Sequence, residues 1–461
     1  MPAMKLDAVL QYLDEKKAEH LARLIEFLRF PTISAQSAHA ADMRACAEWL
    51  VAQFAGAGIA AELLPTGGHP AVFAEDGPAD ARITVLIYGH YDVQPTGDPK
   101  LWHAPPFEPT VRDGVIYARG AADDKGQVFA HVLAAEAWRR AAGTLPIRVK
   151  FLIEGEEEIG SVHLHEALRT HRQRLACDYV ALSDTAKLDE DTPALTCSTR
   201  GLVYKEIEVT GPSKDLHSGV FGGTIANPIH ELTKILASLH DNDCRVTIPG
   251  FYDDVRPLSP EERALLRRGR FDERAYLAQV GSPMLAGEPG YTTVERRGAR
   301  PTLDVNGICG GYTGEGASTI IPAKALAKVS MRLVSDQDPA ATSNAFDRAV
   351  TATCPPTVRL TVRTLSQCPP YVCPLDSPGA RAAMRALETG YGTAAGIIRE
   401  GGSLPILPLF KSELGADSLM LGLCMSDCNA HSANEFFHVR DLYAGARSSA
   451  ALLHELANIV L

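Results

Sequence analysis

The stretch TVLIYGHYDVQP, residues 84–95, decides the fold because it joins an apolar strand to a polar strand end. Val85, Leu86 and Ile87 form a run typical of a strand that is buried on both faces. His90 and Asp92 follow two positions apart, so on an extended chain their side chains point the same way. The pair is interpreted either as a surface turn in which the two side chains merely contact each other or as a functional site at the end of a core strand.

Other strands end in the same manner. The segment VKFLIEGEEEIGS (149–161) ends in a run of glutamates, and YVALSDT (179–185) ends in an aspartate. In YARGAADDKG (117–126) two aspartates precede a helix, and SDCNAHSANE (426–435) supplies a histidine far downstream. The polar residues collected in this way are Glu156, Glu157, Glu158, Asp184, Asp123, Asp124 and His431.

Up to about residue 197, helical and strand patterns alternate, which predicts an α/β fold with a mostly parallel sheet flanked by helices. In such sheets the carboxyl ends of the strands form the ligand-binding edge, so these groups are expected to meet in one crevice. Each has an ordinary explanation alone, as a helix cap, a solvated charge run or a turn. Together they would repel one another unless cations were present, and two histidines with several carboxylates favour zinc or manganese.

Composition sets the broad class. The chain has 461 residues, of which 46% are apolar and 22% charged, as in an ordinary soluble globular protein with more than one core. A net charge of −11 argues against nucleic acid or an anionic membrane as the main partner. The charged N-terminal helix is not a signal peptide, and no apolar run is long enough for a membrane span. Ten cysteines without a framework spacing suggest a reducing cytoplasm, and Cys424 with Cys428 is a weak zinc signal.

The character of the chain changes near residue 198. LVYKEIEVTG (202–211) alternates like a half-exposed strand, an irregular stretch covers roughly 241–312, and two further strands follow. This predicts a smaller α+β insertion over 198–375, which returns through the proline-rich CPPYVCPLDSP (368–378). The larger domain is therefore expected in two pieces, 1–197 and 376–461.

Nine motifs in order make the chain recognisable: GHYDVQP, W followed by PPFEP, YARGAADDKG, EGEEEIGS, SDT, DLHSGVFGG, RLV, EGGSLP and AHSANE. From about residue 25 to the C-terminus the chain resembles the co-catalytic metallopeptidases of the carnosinase and cytosolic nonspecific dipeptidase group, within the aminoacylase and carboxypeptidase family. The resemblance implies a catalytic domain with two divalent cations, zinc or manganese, and an inserted lid and dimerisation domain.

The resemblance also implies a role for each matching residue. His90 and Asp184 would hold one metal, Glu158 and His431 the other, and Asp123 would bridge both. The Asp123–Asp124 peptide bond would be cis, and Asp92 would orient His90. Within the glutamate run, alignment on Gly160 and Ser161 makes Glu157 the general base, with a register error of one as the alternative. Glu156 has no counterpart and is predicted to be solvated, and His131 and His163 are predicted to be structural.

The insertion is expected to recognise the substrate. His217 matches a histidine that reaches into the partner subunit's site in a homodimer, and Arg332 matches a guanidinium that binds the substrate's C-terminal carboxylate. Thr319 and Ser403 match supporting hydrogen-bond donors. The glycine-rich CGGYTGEG (309–316) fits neither nucleotide-binding fingerprint and is predicted to be a loop.

The implied reaction is hydrolysis of a dipeptide or short peptide by a water that the two cations activate, with Glu157 as the base and His217 at the oxyanion. Two alternatives stay open from sequence alone. One is a related amidohydrolase acting on N-acyl amino acids, and the other is a peptidase-like binding protein that has lost its metals. Retention of the whole ligand set argues against the second.

Overall fold

The computed structural model describes residues 2–459. Its strands are β1 (Ala60–Leu64), β2 (Ala71–Asp76), β3 (Thr84–His90), β4 (Thr110–Arg112), β5 (Val115–Tyr117), β6 (Arg148–Glu154), β7 (Tyr179–Leu182), β8 (Ala194–Thr199), β9 (Gly201–Thr210), β10 (Leu216–His217), β11 (Thr302–Gly310), β12 (Ile320–Ile321), β13 (Lys324–Leu333), β14 (Arg359–Cys368), β15 (Tyr371–Val372), β16 (Gly396–Glu400), β17 (Asp417–Gly422) and β18 (Phe436–His438).

The α-helices are α1 (Pro2–Glu15), α2 (Lys17–Leu28), α3 (Ala40–Gly56), α4 (Lys125–Ala142), α5 (Leu164–Thr170), α6 (Arg172–Leu175), α7 (Ser218–Phe221), α8 (Pro228–Ala237), α9 (Pro260–Leu266), α10 (Glu273–Val280), α11 (Thr293–Gly298), α12 (Pro339–Thr353), α13 (Pro378–Tyr391), α14 (Ile406–Leu414) and α15 (Val439–Ala457). Within the described residues, no helix is both long enough and apolar enough to cross a membrane.

A nine-stranded sheet carries the site. Its order is β1-β2-β6-β3-β7-β17-β8-β15, and β16 also pairs with β8. The four central strands, β6, β3, β7 and β17, are parallel, whereas β1, β2 and β15 pair antiparallel with their neighbours. Five consecutive residues of β3, from Val85 to Gly89, are buried because helices cover the sheet. The carboxyl ends of the central strands therefore meet at one edge, as the sequence predicts.

Helix α4 fixes the strand end that carries His90. It packs against β3, α1 and α15, and it ends at Gly143, which adopts the left-handed conformation. At Gly89 a Cβ atom would lie 2.6 Å from Val128 Cγ2 and 2.7 Å from Asp124 Oδ2. Only glycine therefore lets the start of α4 approach the end of β3 so closely.

The second sheet lies in the segment predicted to be an insertion. Its order is β11-β13-β9-β14, every pairing is antiparallel, and it has a hydrophobic core of its own with α8 and α12. The strand β9 alternates between buried and half-buried residues, as the sequence pattern predicts. Strand β8 ends at Thr199 and β15 begins at Tyr371, both in the large sheet, so the chain leaves and re-enters the large sheet at neighbouring strands.

The α/β fold class is confirmed, and several element boundaries differ from the prediction. The helix expected over residues 5–30 is two helices, α1 and α2. The stretch 241–312, expected to be irregular, contains α9, α10 and α11 and the whole of β11. The strand β11 escapes sequence reasoning because most of its residues are exposed, so the alternation of buried and exposed residues is absent.

Candidate metal centre

His90 ends β3 with a fully buried imidazole. Its Nδ1 lies 3.1 Å from the carbonyl oxygen of Asp92 and 3.3 Å from Asp92 Oδ1. Since both neighbours are acceptors, Nδ1 carries the proton and the Nε2 lone pair is left free. Nε2 lies 3.1 Å from Asp123 Oδ1, yet within the part of the chain that the structure describes this buried nitrogen has no hydrogen-bond partner. An imidazole held in this way is prepared to bind a cation.

Asp92 is fully buried and connects three segments. Its Oδ2 accepts hydrogen bonds from Ser34 Oγ at 2.7 Å and from the backbone N–H of Glu158 at 3.1 Å. Its Oδ1 accepts from the backbone N–H of Glu157 at 3.2 Å. Asp92 therefore fixes both the imidazole of His90 and the turn that carries Glu157 and Glu158.

Two groups of metal-ligating side chains share one residue. The first contains His90, Asp123 and Asp184, and the second contains Asp123, Glu158 and His431; in each, the ligand atoms lie within 4.8 Å of one another. Asp123 belongs to both groups. The peptide bond between Asp123 and Asp124 is cis, as the resemblance implies. All five side chains expected to hold metal are therefore brought together by the fold.

A residue outside the second group also fixes one of its members by hydrogen bonds. His431 Nε2 lies 2.9 Å from Asp123 Oδ2 and 3.2 Å from Glu158 Oε2. Gln94, in the opening motif, donates from Nε2 to Glu158 Oε2 at 2.8 Å and from its backbone N–H to Oε1 at 3.1 Å. Gln94 therefore fixes the orientation of the Glu158 carboxylate, a role not assigned to it from sequence.

The charges of this cluster perturb one another. Burial raises the pKa of Glu157 to about 8 and that of Asp184 to about 7, and neighbouring carboxylates add to both shifts. Hydrogen bonds to Asp123 and Glu158 raise the pKa of His431 to about 10. Burial opposes ionisation of Asp123, but the hydrogen bond from His431 and the nearby imidazole of His90 hold its pKa well below the usual range.

These residues fit a pair of divalent cations. Imidazole nitrogens and carboxylate oxygens are the donors that zinc and manganese take. The partnerless Nε2 of buried His90 faces two carboxylates, Asp123 and Asp184, and a cation between them would satisfy all three. Several carboxylates with little solvent are stable together only if positive charge offsets them.

Glu435 is a residue that sequence reasoning did not single out, although it ends the AHSANE motif. Its carboxylate is fully buried and accepts from the backbone N–H groups of Gly120, Ala122 and Asp123 at 2.9, 2.8 and 3.0 Å. Arg119 Nη1 donates to it at 2.7 Å. Glu435 thus fixes the backbone turn that presents Asp123, and the signal available in sequence was only its place beside His431.

The prediction that Glu156 is solvated is wrong. Its side chain is buried, Oε2 lies 2.8 Å from His163 Nδ1, and Oε1 accepts from the backbone N–H of His69 at 3.1 Å. The residue turns away from the metal ligands and joins the 66–69 loop to the start of α5. A loop 87 residues earlier in the chain supplies this environment, which no local pattern reveals.

The predicted substrate-binding residues form two pairs away from these groups. Arg332, near the end of β13, donates from Nη1 to Ser403 Oγ at 2.7 Å. His217 lies on β10, which pairs with β12, and the backbone N–H of Ser218 donates to the carbonyl oxygen of Thr319 at 3.0 Å. Both His217 and Thr319 are exposed. The CGGYTGEG segment lies mainly outside regular structure, after the end of β11.

The fold and this site define a class of protein, and comparison with known proteins identifies it. The model of peptidase family M20/M25/M40 matches residues 86–455. The chain therefore belongs to this family of peptidases, which are hydrolases acting on peptide bonds.

Individual relatives are similar along their whole length. A Cys-Gly metallodipeptidase of Schizosaccharomyces pombe is 31% identical over 472 residues, covering 99% of each chain. The human Beta-Ala-His dipeptidase is 31% identical over 479 residues, which cover 99% of this chain and 94% of the relative. The crystal structure of an M20 family metallo-carboxypeptidase from Sulfolobus solfataricus is 33% identical with a TM-score of 0.78, covering 96% of this chain and 100% of that one.

Proposed function

We propose that this protein is a dipeptidase that hydrolyses the peptide bond of dipeptides with two divalent cations per chain. The observation that carries the proposal is Asp123, which is shared by two groups of ligands, each completed by one histidine and one further carboxylate. The dipeptidase activity by which the two similar relatives are named supports the choice of substrate.

We assign the ligands accordingly. His90 and Asp184 would hold one cation, Glu158 and His431 the other, and Asp123 would bridge them. Asp92 is a positioning residue, because it contacts His90 and the backbone of both glutamates. When bound, the cations supply Lewis acidity, which polarises a carbonyl group and lowers the pKa of a water molecule. The donor set suits zinc or manganese.

The protein's own groups would move the proton and bind the developing charge. Glu157 accepts a proton from the attacking water, whose oxygen bonds to the carbonyl carbon, and then delivers that proton to the amine nitrogen as the C–N bond breaks. His217 would donate a hydrogen bond to the carbonyl oxygen as negative charge develops there. Arg332, supported by Ser403, would bind the C-terminal carboxylate of the substrate, and Thr319 would donate a further hydrogen bond.

We further propose that residues 198–375 form a lid and dimerisation domain inserted into a catalytic domain made of 1–197 and 376–461, of which residues 1, 460 and 461 lie outside the described part. The separate hydrophobic core of the second sheet supports this division. Its edge strand β11 exposes Val305 and Ile308, an arrangement suited to pairing with a second copy. The homodimer would bring His217 into the partner's site.

We place the protein in the cytoplasm. All ten cysteines lie within the described residues and are free thiols, which suits a reducing compartment. Cys424 and Cys428 are both buried and belong to neither group of ligands, so we do not assign them a metal.

The experiment that tests this function is hydrolysis measured with and without metal. The protein is stripped with a chelator, its metal content is measured, and zinc or manganese is added back. A panel of dipeptides, tripeptides and N-acyl amino acids is assayed at each stage. We expect about two cations per chain, loss of hydrolysis on stripping, and recovery with one of the two metals.

The outcomes separate the alternatives. Preferential hydrolysis of N-acyl amino acids would replace the dipeptidase with an amidohydrolase. Full activity without metal would refute the mechanism, and absence of metal binding would indicate a binding protein.

A further inference from the structure

Arginines gather around the loop 400–403, which follows β16. Arg332 Nη1 donates to Ser403 Oγ at 2.7 Å, and Arg200 Nε donates to the carbonyl oxygen of Gly401 at 2.8 Å. Gly401 separates Arg200 from Arg297: a Cβ atom there would lie 3.2 Å from Arg200 Nη2 and 2.9 Å from the carbonyl oxygen of Arg297. The glycine leaves open the space between these two residues.

Arg200 has a donor without a partner. Its Nη1 is buried and makes no hydrogen bond to any of the described residues. A buried donor left unpaired is costly, so such a group indicates a missing acceptor. Burial and the neighbouring charge of Arg332 lower the pKa of Arg200 to about 10, while Asp304 and Glu400 oppose that shift.

A cavity of about 120 Å³ adjoins the loop. Its walls include Ala186, after β7, and Ser426, after β17, which both follow strands that end at the edge carrying the metal-ligating groups. Gly401, also in the wall, follows β16, which runs in the opposite direction to β17. Arg270 and Arg297 complete the wall from the 266–297 segment. A cavity of this size accommodates a side chain rather than a longer stretch of peptide.

Two of the cations in the wall are already neutralised. Lys187 Nζ lies 2.7 Å from Asp441 Oδ1, and Arg399 pairs with Glu262. These two side chains therefore contribute little to the electrostatic field in the cavity.

The other charged residues of the cavity wall carry a net positive charge. Glu400 is the one carboxylate of the wall, and its Oε1 already accepts from the backbone N–H groups of Gly401 and Gly402 at 2.6 and 3.1 Å. Within residues 2–459 neither Arg270 nor Arg297 forms an ion pair, although the Arg297 guanidinium lies over the Tyr276 ring, 5.7 Å from its centroid. Two guanidinium groups without an ion-pair partner line this space, and Arg200 lies next to its wall at Gly401. This arrangement suits a carboxylate.

We propose that the cavity and the loop bind the side-chain carboxylate of the substrate's C-terminal residue, so that the preferred dipeptides end in glutamate or aspartate. This rests on the proposed function, which assigns the α-carboxylate to Arg332. Ser403 accepts a hydrogen bond from Arg332 and is two residues from Gly401, which lines the cavity. A substrate whose α-carboxylate binds Arg332 would therefore place the side chain of its C-terminal residue near the cavity. Arg200 and Arg297 are then specificity-determining residues.

The first test uses the unmodified holoenzyme and isosteric substrates. The ratio of kcat/KM for Ala-Glu to that for Ala-Gln should be roughly tenfold, the effect of a hydrogen bond to a charged group, and should fall with added salt. The ratio for Glu-Ala to Gln-Ala should stay near one. Equal rates for Ala-Glu and Ala-Gln would overturn the inference and leave the dipeptidase intact. No hydrolysis of either would mean that the proposed function itself fails.

The second test uses variants. Arg297→Met should lower the Ala-Glu to Ala-Gln ratio by roughly threefold, as an exposed charge contact permits. Arg200→Met should lower it further, but that change also removes the bond to Gly401, so Arg297→Met remains the decisive variant. Arg267→Met is the matched control, since Arg267 is exposed on the same segment and outside the cavity wall. An unchanged ratio in Arg297→Met, or an equal change in the control, would overturn the assignment.

Discussion

The sheet edge that carries His90 and the β10–β12 strand pair that carries His217 differ in how completely one chain builds them. At the first, His90 and Asp92 are fully buried, and Asp92 accepts hydrogen bonds from three partners. At the second, His217 is exposed and its Nδ1 accepts a local hydrogen bond from the backbone N–H of Gly219 at 3.0 Å. The contacts of the first region are complete within a single chain, whereas His217 in the second region is exposed and available to another molecule.

This difference agrees with the roles proposed for the two regions, metal binding in the first and a hydrogen bond to the substrate in the second. A metal centre needs donors fixed to within a fraction of an ångström, so its residues sit on strand ends with supporting bonds. A hydrogen-bond donor supplied by a partner subunit needs exposure instead. Variants in each region should therefore fail in different ways.

The largest effect is expected in the metal-ligating region itself. Glu157→Gln should lower kcat by roughly 10² to 10⁴ while metal content and fold persist, because it removes only the residue proposed as the general base. Glu158→Gln should instead weaken metal binding, because Glu158 belongs to the group with Asp123 and His431. Metal content and single-turnover rates distinguish the two. An exchange of these phenotypes would show that the assignment is off by one residue.

In the region of the β10–β12 strand pair, His217→Ala should lower kcat by roughly 10² to 10³ and leave metal content unchanged. Mixing it with Glu157→Gln under subunit exchange should restore activity, because the mixed dimer has one site with an intact base and the partner's intact histidine. Each mixed dimer should approach half the activity of the wild-type dimer. A mixture that stays inactive despite demonstrated exchange would refute the action of His217 across the interface.

A substitution at Glu435, which contacts the turn that carries Asp123, should test the first region further. Glu435→Gln places an amide where three backbone N–H groups and Arg119 now meet a carboxylate, so donors would face donors. Metal affinity, measured by calorimetry with Mn²⁺, should fall roughly 10- to 100-fold. Glu295→Gln is the control, since that buried glutamate pairs with Arg263 within the proposed insertion. Equal affinities in the two variants would remove the positioning role from Glu435.

The smallest effect is expected from Glu156→Gln. It weakens the contact with His163 and keeps the metal ligands, so we expect a loss of about 1 to 2 kcal/mol in the free energy of unfolding and little change in kcat. Denaturant unfolding measures the first quantity. The exposed Glu166, in the first turn of α5, gives the control Glu166→Gln, which should change stability by less than about 0.5 kcal/mol. A large drop in kcat for Glu156→Gln would mean that the buried contact also orients the active turn.

Sequence by itself determined the α/β class, the gathering of the five candidate ligands, and the family. The physical reason is local: an apolar run followed by polar residues at period two predicts where a strand ends, and parallel strands end at one edge. Tertiary structure alone decided which glutamate of the 156–158 run turns inward to His163, that Glu435 holds the Asp123 turn, and that β11 pairs with β13. Each of these depends on a partner distant in the chain, and a local pattern carries no information about such a partner.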